Sequence, residues 1–479
     1  MDYREHIYSL FIYSLFYKKM TIPNVIHFIC IKPMIFSFFH FLAVASANVT
    51  QKPNKIFIYY DTEQEDNIYW ETVKQFCTIE QIDPPLIFGG KEVTAPQYKA
   101  DIIRLEKLIE RGGIYLDLDI LCLKSFDDFL GVDKCVMTGR PEGCQDDISI
   151  LNETQNSIIM APKYNPFLIK WYETMDEYMN GEYPWSYHAV IYPAQIIRGQ
   201  INDNTHHVKI LDCDKLFMPF GWEDNDPFIF KNINEISVNE KLKLNGYYTI
   251  MFFETIVKCT YLKNITLQHI IDNNNLFSHI FIKYISLLKK KSNLLWKLMW
   301  KNFDRSNWEN SHKMANDYVY LLNKNISDNN VRWATFIKAS SELRMEKYSK
   351  SKSAFHVLLK LNNLDQNLKI QIENNLALIE DIKNKKKDDI FKNIQNSYHS
   401  KDYDDIIEKC EEYYNLLLEG NYQYQNILFF LSTAHFQKKN YDKSKKLHET
   451  ILNVKDIDDN VKIWVTSNYD YLIRCINES

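Results

Sequence analysis

All thirteen prolines of this 479-residue chain fall between Pro23 and Pro227, and eleven of its twelve glycines fall between Gly89 and Gly246, with only Gly420 beyond. Proline breaks helix interiors and glycine weakens them, so the proline-free back half reads as helical. The front half carries turn residues at short intervals and reads as alternating strands and helices. Two architectures are therefore expected in one chain, changing over between residues 255 and 280.

The remaining composition excludes several classes. Hydrophobic residues at 46% and charged residues at 25% match a globular protein rather than a disordered or fibrous one. A net charge of −5 gives no footprint for nucleic-acid binding, and the triplets Lys289–Lys291 and Lys385–Lys387 read as solvated helix faces. Nine cysteines, odd in number and without a CxxC pair, suggest neither a structural zinc nor a disulfide framework. They read as buried thiols in a reducing compartment. Pro33 to Gln51 contains no Asp, Glu, Lys or Arg. Its apolar centre, Met34 to Val44, is short for a bilayer span of about 20 residues, so it is expected to be a buried first helix, with a membrane or signal element as the alternative. Residues 1–20 read as an N-terminal extension or a weak amphipathic anchor. The expected location is cytoplasmic or at a membrane surface.

The chemistry concentrates in the front half. Asn24–Ile29 and Lys55–Tyr60 are short apolar runs separated by a helix-length segment, which is βαβ grammar and implies a parallel, buried sheet. Pro96 can open a helix whose apolar stripe is Ile102, Leu105, Leu108 and Ile109. Asp101 and Arg104, three apart, share a face of it. Gly112-Gly113 should close that helix and Ile114-Tyr115-Leu116 start a strand. If Asp117-Leu118-Asp119 continues the strand, its period of two points both carboxylates to one face. Two such carboxylates suit a hard divalent cation, Mn²⁺ or Mg²⁺, that keeps positions open for diphosphate oxygens. The same Asp-x-Asp spacing at Asp212/Asp214, Asp224/Asp226, Asp402/Asp404 and Asp456/Asp458 lacks this context and reads as turn chemistry.

The stretch Ala100-Asp101-Ile102-Ile103-Arg104 through Gly112-Gly113-Ile114-Tyr115-Leu116-Asp117-Leu118-Asp119 resembles the DXD-containing sugar-transfer region of glycosyltransferase family 32, and Ile22–Ile29 is similar to that family's first strand. The resemblance implies a GT-A type, Rossmann-like α/β fold and retaining, metal-assisted transfer of a hexose from a UDP- or GDP-linked sugar to a glycan or protein acceptor. Carried over by position, it makes Asp101, Arg104 and Asp119 catalytic. It gives donor binding to His27, Phe28, Asp101, Arg104, Tyr115, Asp117 and Asn156, and metal binding to Asp117 and Asp119. Two positions depart from the family. Cys30 stands where a tryptophan can stack on the base, and Met251 stands where a histidine is common, with Glu254 nearby as a replacement oxygen donor. These departures make a decayed transferase serving as a scaffold the alternative reading. His188 and the Pro219–Trp222 loop are candidates for the acceptor side. The heavy use of Lys, Ile, Asn and Tyr resembles family versions encoded by giant DNA viruses.

In the back half, Phe429 to Ile451 fits two helices joined at Lys439-Asn440-Tyr441. A similar beat runs from Phe336 to Leu358, and a third begins at Lys401-Asp402-Tyr403. These resemble degenerate tetratricopeptide repeats, which stack into a solenoid with a surface for a protein partner. The expected organisation is an extension at 1–20, a transferase domain at 21–260, a helical connector at 261–325 and an all-α repeat domain at 326–479.

Overall fold

The structure, a computed structural model, describes residues 20–478 apart from 65–66, 140–150, 180–181, 185, 200–206, 212–216, 220–227, 238–245, 253–264, 415–421 and 454–458. It divides into two compact units between Lys338 and Ala339.

The first unit is built on β1 (Val25–Cys30), β2 (Lys55–Tyr60), β3 (Thr78–Gln81), a short hairpin of β4 (Ile87–Phe88) and β5 (Lys91–Glu92), β6 (Gly113–Leu116), β7 (Ile120–Cys122), β8 (Cys135–Gly139), β9 (Thr154–Ala161), β10 (Val208–Leu211), β11 (Phe217–Pro219) and β12 (Thr249–Met251). Seven strands form one sheet in the order β10-β8-β9-β6-β1-β2-β3. β1 pairs in parallel with β2 and β6, and β2 with β3, as the βαβ pattern requires. The sheet is nevertheless mixed rather than parallel throughout. β9 runs antiparallel to both β6 and β8, with a register shift between Val136 and Thr138. A second sheet, β11-β12-β7, starts immediately after the Asp-x-Asp segment.

Three helices follow from local sequence. α1 (Phe38–Gln51) opens with a capping box, in which Ser37 Oγ accepts from the His40 amide at 3.3 Å and His40 Nδ1 accepts from the Ser37 amide at 3.0 Å. Its residues 38–47 are all buried, as expected of a helix that is apolar around its whole circumference. No helix among the described residues is long and apolar enough to cross a membrane. α2 (Ile68–Val73) is capped by Asn67, whose side chain accepts from the amides of Tyr69 and Trp70.

α3 (Pro96–Arg111) begins at Pro96 and buries Ile102, Leu105, Leu108 and Ile109 against the sheet core. It closes at Gly112 (φ 65°) and Gly113 (φ 117°). A Cβ at Gly112 would sit 2.6 Å from the Lys163 amide nitrogen, and one at Gly113 would sit 2.5 Å from the Val25 carbonyl. Both the left-handed backbone and the close approach demand glycine here.

Helices begin at Leu267, near the expected change-over. Those between Leu267 and Lys338 nevertheless belong to the first unit. The helix Trp308–Leu321 docks on α2, where the buried Tyr69 hydroxyl donates to Asp317 at 2.5 Å. Burial pushes the Asp317 carboxyl up to about 6.

The second unit contains helices Tyr348–Leu359, Gln366–Ser400, Tyr403–Tyr414, Tyr422–Gln437, Tyr441–Leu452 and Asp459–Glu478. Ile390, Ile394, Ile406, Cys410, Tyr413, Ile427, Leu431 and Ala434 form one of its buried clusters. The joints centred on Tyr348, Tyr403 and Tyr441 share one geometry. Glu346, Lys401 and Lys439 are left-handed (φ 61°, 59° and 61°). The following amide reaches back five residues, from Lys347 to Glu342 O, Asp402 to Ser397 O and Asn440 to His435 O, at 2.8–2.9 Å. That six-to-one bond is a Schellman closure built without glycine. A fourth copy, in the first unit, is Ser306-Asn307-Trp308, with Asn307 donating to Asn302 O at 2.9 Å.

Candidate active site

The residues singled out from sequence meet where β6 ends. Asp101 and Arg104 project from the buried side of α3, each 6% exposed, so their pairing is not a surface salt bridge. Arg104 Nη2 lies 3.1 Å from Asp101 Oδ1 and 3.5 Å from Asp117 Oδ1, while Nη1 donates to the Asn156 carbonyl at 2.6 Å. The guanidinium carbon sits 4.5 Å from the centroid of the Tyr115 ring. The Tyr115 hydroxyl donates to Asp117 Oδ1 at 2.6 Å. Burial works against the Arg104 charge, but Tyr115, Asp117, Asp101 and Asp119 outweigh it and hold the guanidinium firmly protonated. Burial pushes the Asp117 carboxyl up, although Arg104 and Tyr115 oppose it.

The Asp-x-Asp segment is a turn rather than a continuing strand. β6 stops at Leu116, and the Ile120 amide donates back to the Asp117 carbonyl at 3.1 Å. The period-two argument for a shared face therefore does not apply. Leu118 is buried between the half-buried Asp117 and Asp119, and the Oδ1 of Asp119 is itself enclosed. Neighbouring strands pin it, with the Asp117 amide donating to Ser157 O at 3.0 Å and the Phe252 amide to Asp119 O at 3.2 Å.

The other expected donor residues lie further in. His27 and Phe28 have 0% exposure, enclosed within β1, and do not reach the site surface. His27 Nε2–H donates to the Gly112 carbonyl at 2.8 Å and Nδ1 accepts from the Tyr59 hydroxyl at 2.9 Å. That neutral tautomer agrees with a pKa lowered by burial to about 4, partly offset by the Gly112 bond. His27 thus braces the turn that launches β6. Tyr115 is also buried, beneath Arg104. Asn156 belongs to β9, and its amide donates to Asp101 Oδ1 at 3.0 Å.

Of the two departures, Cys30 is buried opposite Tyr60. Met251 pairs with Ile120 at the edge of the turn, and its sulfur accepts from Ser157 Oγ at 3.4 Å. Glu254 and residues 220–222 of the suggested acceptor loop lie outside the described residues.

The sequence suggests His188 for the acceptor side. It is instead buried behind Asp101, with Nε2 at 2.8 Å from Asp101 Oδ2. No spacing could have linked it to a partner 87 positions away.

Two carboxylates of hard oxygen character suit Mg²⁺ or Mn²⁺ completed by phosphate oxygens. Among the described residues no group of three or more His, Cys, Asp or Glu gathers as a self-sufficient metal site. Asp117 keeps Oδ2 clear of the bonds to Tyr115 and Arg104, and its side chain is 29% exposed. The donor set therefore fits a cation shared with a ligand.

The chain is similar to glucan organizing enzyme 1 of Cryptococcus neoformans var. grubii, with 25% identity over 291 residues, which is 58% of this chain and 75% of that protein. Among solved structures it overlaps loosely with the PaToxG glycosyltransferase (22% identity, TM-score 0.29, 42% of this chain and 78% of that one). A second loose overlap is with the glycosyltransferase GlyE of Streptococcus pneumoniae TIGR4 (11% identity, TM-score 0.32, 56% and 63%). Residues 43–136, which run from within α1 into β8 and hold Asp101, Arg104, Asp117 and Asp119, match the family model of the glycosyltransferase sugar-binding region containing the DXD motif.

Proposed function

We propose that this protein is a metal-dependent glycosyltransferase that moves a hexose from a UDP- or GDP-linked sugar to a glycan or protein acceptor with retention of configuration. The observation that carries the reading is the convergence of Asp101, Arg104, Asp117 and Asp119 at the end of β6, inside the matched region. Arg104 supplies a fixed planar cation for sugar or phosphate oxygens. Asp101 and Asn156 hold its orientation, and Tyr115 supports its face. A Mn²⁺ or Mg²⁺ held by Asp117 and Asp119 would neutralise charge on the departing nucleoside diphosphate. With cysteine at position 30, base stacking falls to another ring, and Tyr60 stands opposite it in register. The helical second unit is assigned a protein- or acceptor-binding role.

The alternative, a decayed transferase serving as a scaffold, draws on Met251, whose soft sulfur at the edge of the turn is a poor ligand for a hard cation. A panel of UDP- and GDP-sugars, assayed for Mn²⁺-dependent donor hydrolysis with Asp119→Asn as control, separates the two. Turnover lost in the variant supports the enzyme. Absence of both turnover and Mn²⁺-dependent nucleotide binding in the wild type leaves the scaffold.

A further inference from the structure

We propose that His188 is a positioning residue of the transfer site, acting through Asp101 to hold Arg104 in place. The inference rests on the glycosyl-transfer reading for its kinetic consequence, but its structural content stands apart from it. Both oxygens of Asp101 are engaged by protein. Oδ1 takes Arg104 Nη2 at 3.1 Å and Asn156 Nδ2 at 3.0 Å, and Oδ2 takes His188 Nε2 at 2.8 Å. A carboxylate oxygen accepts only from a donor, so Nε2 carries the proton whatever the charge of the ring. His188 is 1% exposed and its ring meets Tyr98 edge-on, with centroids 4.4 Å apart. It sits in a single π-helical turn, Tyr187–Ile191, that is tied to the start of β9 by Thr154 Oγ1 donating to the Val190 carbonyl at 3.1 Å.

The consequence is geometric. With Oδ2 occupied, Asp101 meets Arg104 through one oxygen, leaving the guanidinium to span Asp101, the Asn156 carbonyl and Asp117. Without the His188 proton, Asp101 is free to turn both oxygens onto Arg104 as a bidentate pair and draw it away from Asp117. Packing alone does not require a nitrogen at this position.

Two substitutions in the full chain separate positioning from packing. His188→Phe keeps a ring beside Tyr98 and removes the donor, whereas His188→Gln loses the ring and keeps an N–H at comparable reach. In the Mn²⁺ and nucleotide-sugar assay, kcat falls about 10- to 100-fold in His188→Phe, as for other residues that orient a site group, with a smaller change in donor KM. His188→Gln restores most of the rate. A fully active Phe variant, or a Gln variant as impaired as Phe, overturns the proposal. If the wild type shows no turnover, the function reading has failed, and melting temperatures of His188→Phe, Asp101→Asn and the double variant decide this one. Shifts that sum to less than additive support the coupling, and additive shifts overturn it.

Discussion

The closure of helix Pro96–Arg111 and the joints of the helical unit handle the left-handed backbone in opposite ways. In the first, Gly112 and Gly113 sit where any Cβ would strike the Lys163 amide or the Val25 carbonyl. In the second, the same sign of φ is carried by Glu346, Lys401 and Lys439, whose side chains reach solvent. Positive φ alone therefore does not select glycine in this protein. At the end of Pro96–Arg111 glycine sits where the Lys163 backbone, or the Val25 carbonyl and His27 ring, closes over the turn, and in the helical joints lysine or glutamate suffices where water does. The glycine-poor back half can close these helices without glycine because their joints are open.

That contrast can be tested from its strongest end downward. Asp119→Asn, in the half-buried turn, is expected to reduce donor turnover by about 10²- to 10³-fold, read in the Mn²⁺-dependent hydrolysis assay. Equal activity would detach function from the Asp-x-Asp turn. Gly113→Ala should cost about 3 kcal/mol through strain and clash, seen as lost hydrogen-exchange protection in β1 and β6 while helices Tyr403–Tyr414 and Tyr441–Leu452 keep theirs.

Next come two buried groups of the first unit with opposite pH signs. His27 has a folded pKa of about 4 against an ordinary 6.5. Its contribution, about 3 kcal/mol, is full above pH 6.5 and is lost as the pH falls through 4. Asp317 is raised from 3.8 to about 6, so its contribution is full below 3.8 and is lost as the pH rises through 6. Denaturant melts from pH 4 to 7 should show His27→Gln less acid-sensitive than wild type and Asp317→Asn without the loss between 4 and 6. The smallest effect expected is in the second unit. Lys439→Gly should stabilise the joint between helices Tyr422–Gln437 and Tyr441–Leu452 by about 1 kcal/mol, measured by exchange of the Asn440 amide. A destabilised joint would mean that its lysine does more than tolerate the conformation.

Much of this was legible in local chemistry. Helix Pro96–Arg111, its glycine closure, the first two strands and the joints at Tyr348, Tyr403 and Tyr441 all follow from propensities that act within a few residues. Four features escaped because they depend on what arrives from elsewhere. The reversal of β9 is a pairing choice between segments about 40 residues apart, and nothing in Thr154–Ala161 records strand direction. Asp117–Asp119 looked like a strand because Leu118 alternates with the two carboxylates, yet the turn bond from Ile120 produces the same alternation. His27 and His188 are ordinary histidines in sequence, and only burial shows that both brace the site from behind. The helices from Leu267 to Lys338 carry the helical composition of the back half. Contacts such as Tyr69 to Asp317, 248 positions apart, nevertheless join them to the first unit.

The helix Phe38–Gln51 has a consequence for synthesis as well as for packing. Two of the groups that cover it, the Cys122 and Phe126 amides bonded to Ser46 and Gln51, lie 76 and 75 residues further along the chain. A ribosome adding about 5–20 residues per second needs roughly 4–15 s to make that length. For this interval the most apolar stretch of the described chain is outside the ribosome or leaving it without its cover. A chaperone, or a membrane surface, has its best opportunity to bind the nascent protein then, before the segment of Cys122 and Phe126 arrives to cover the helix.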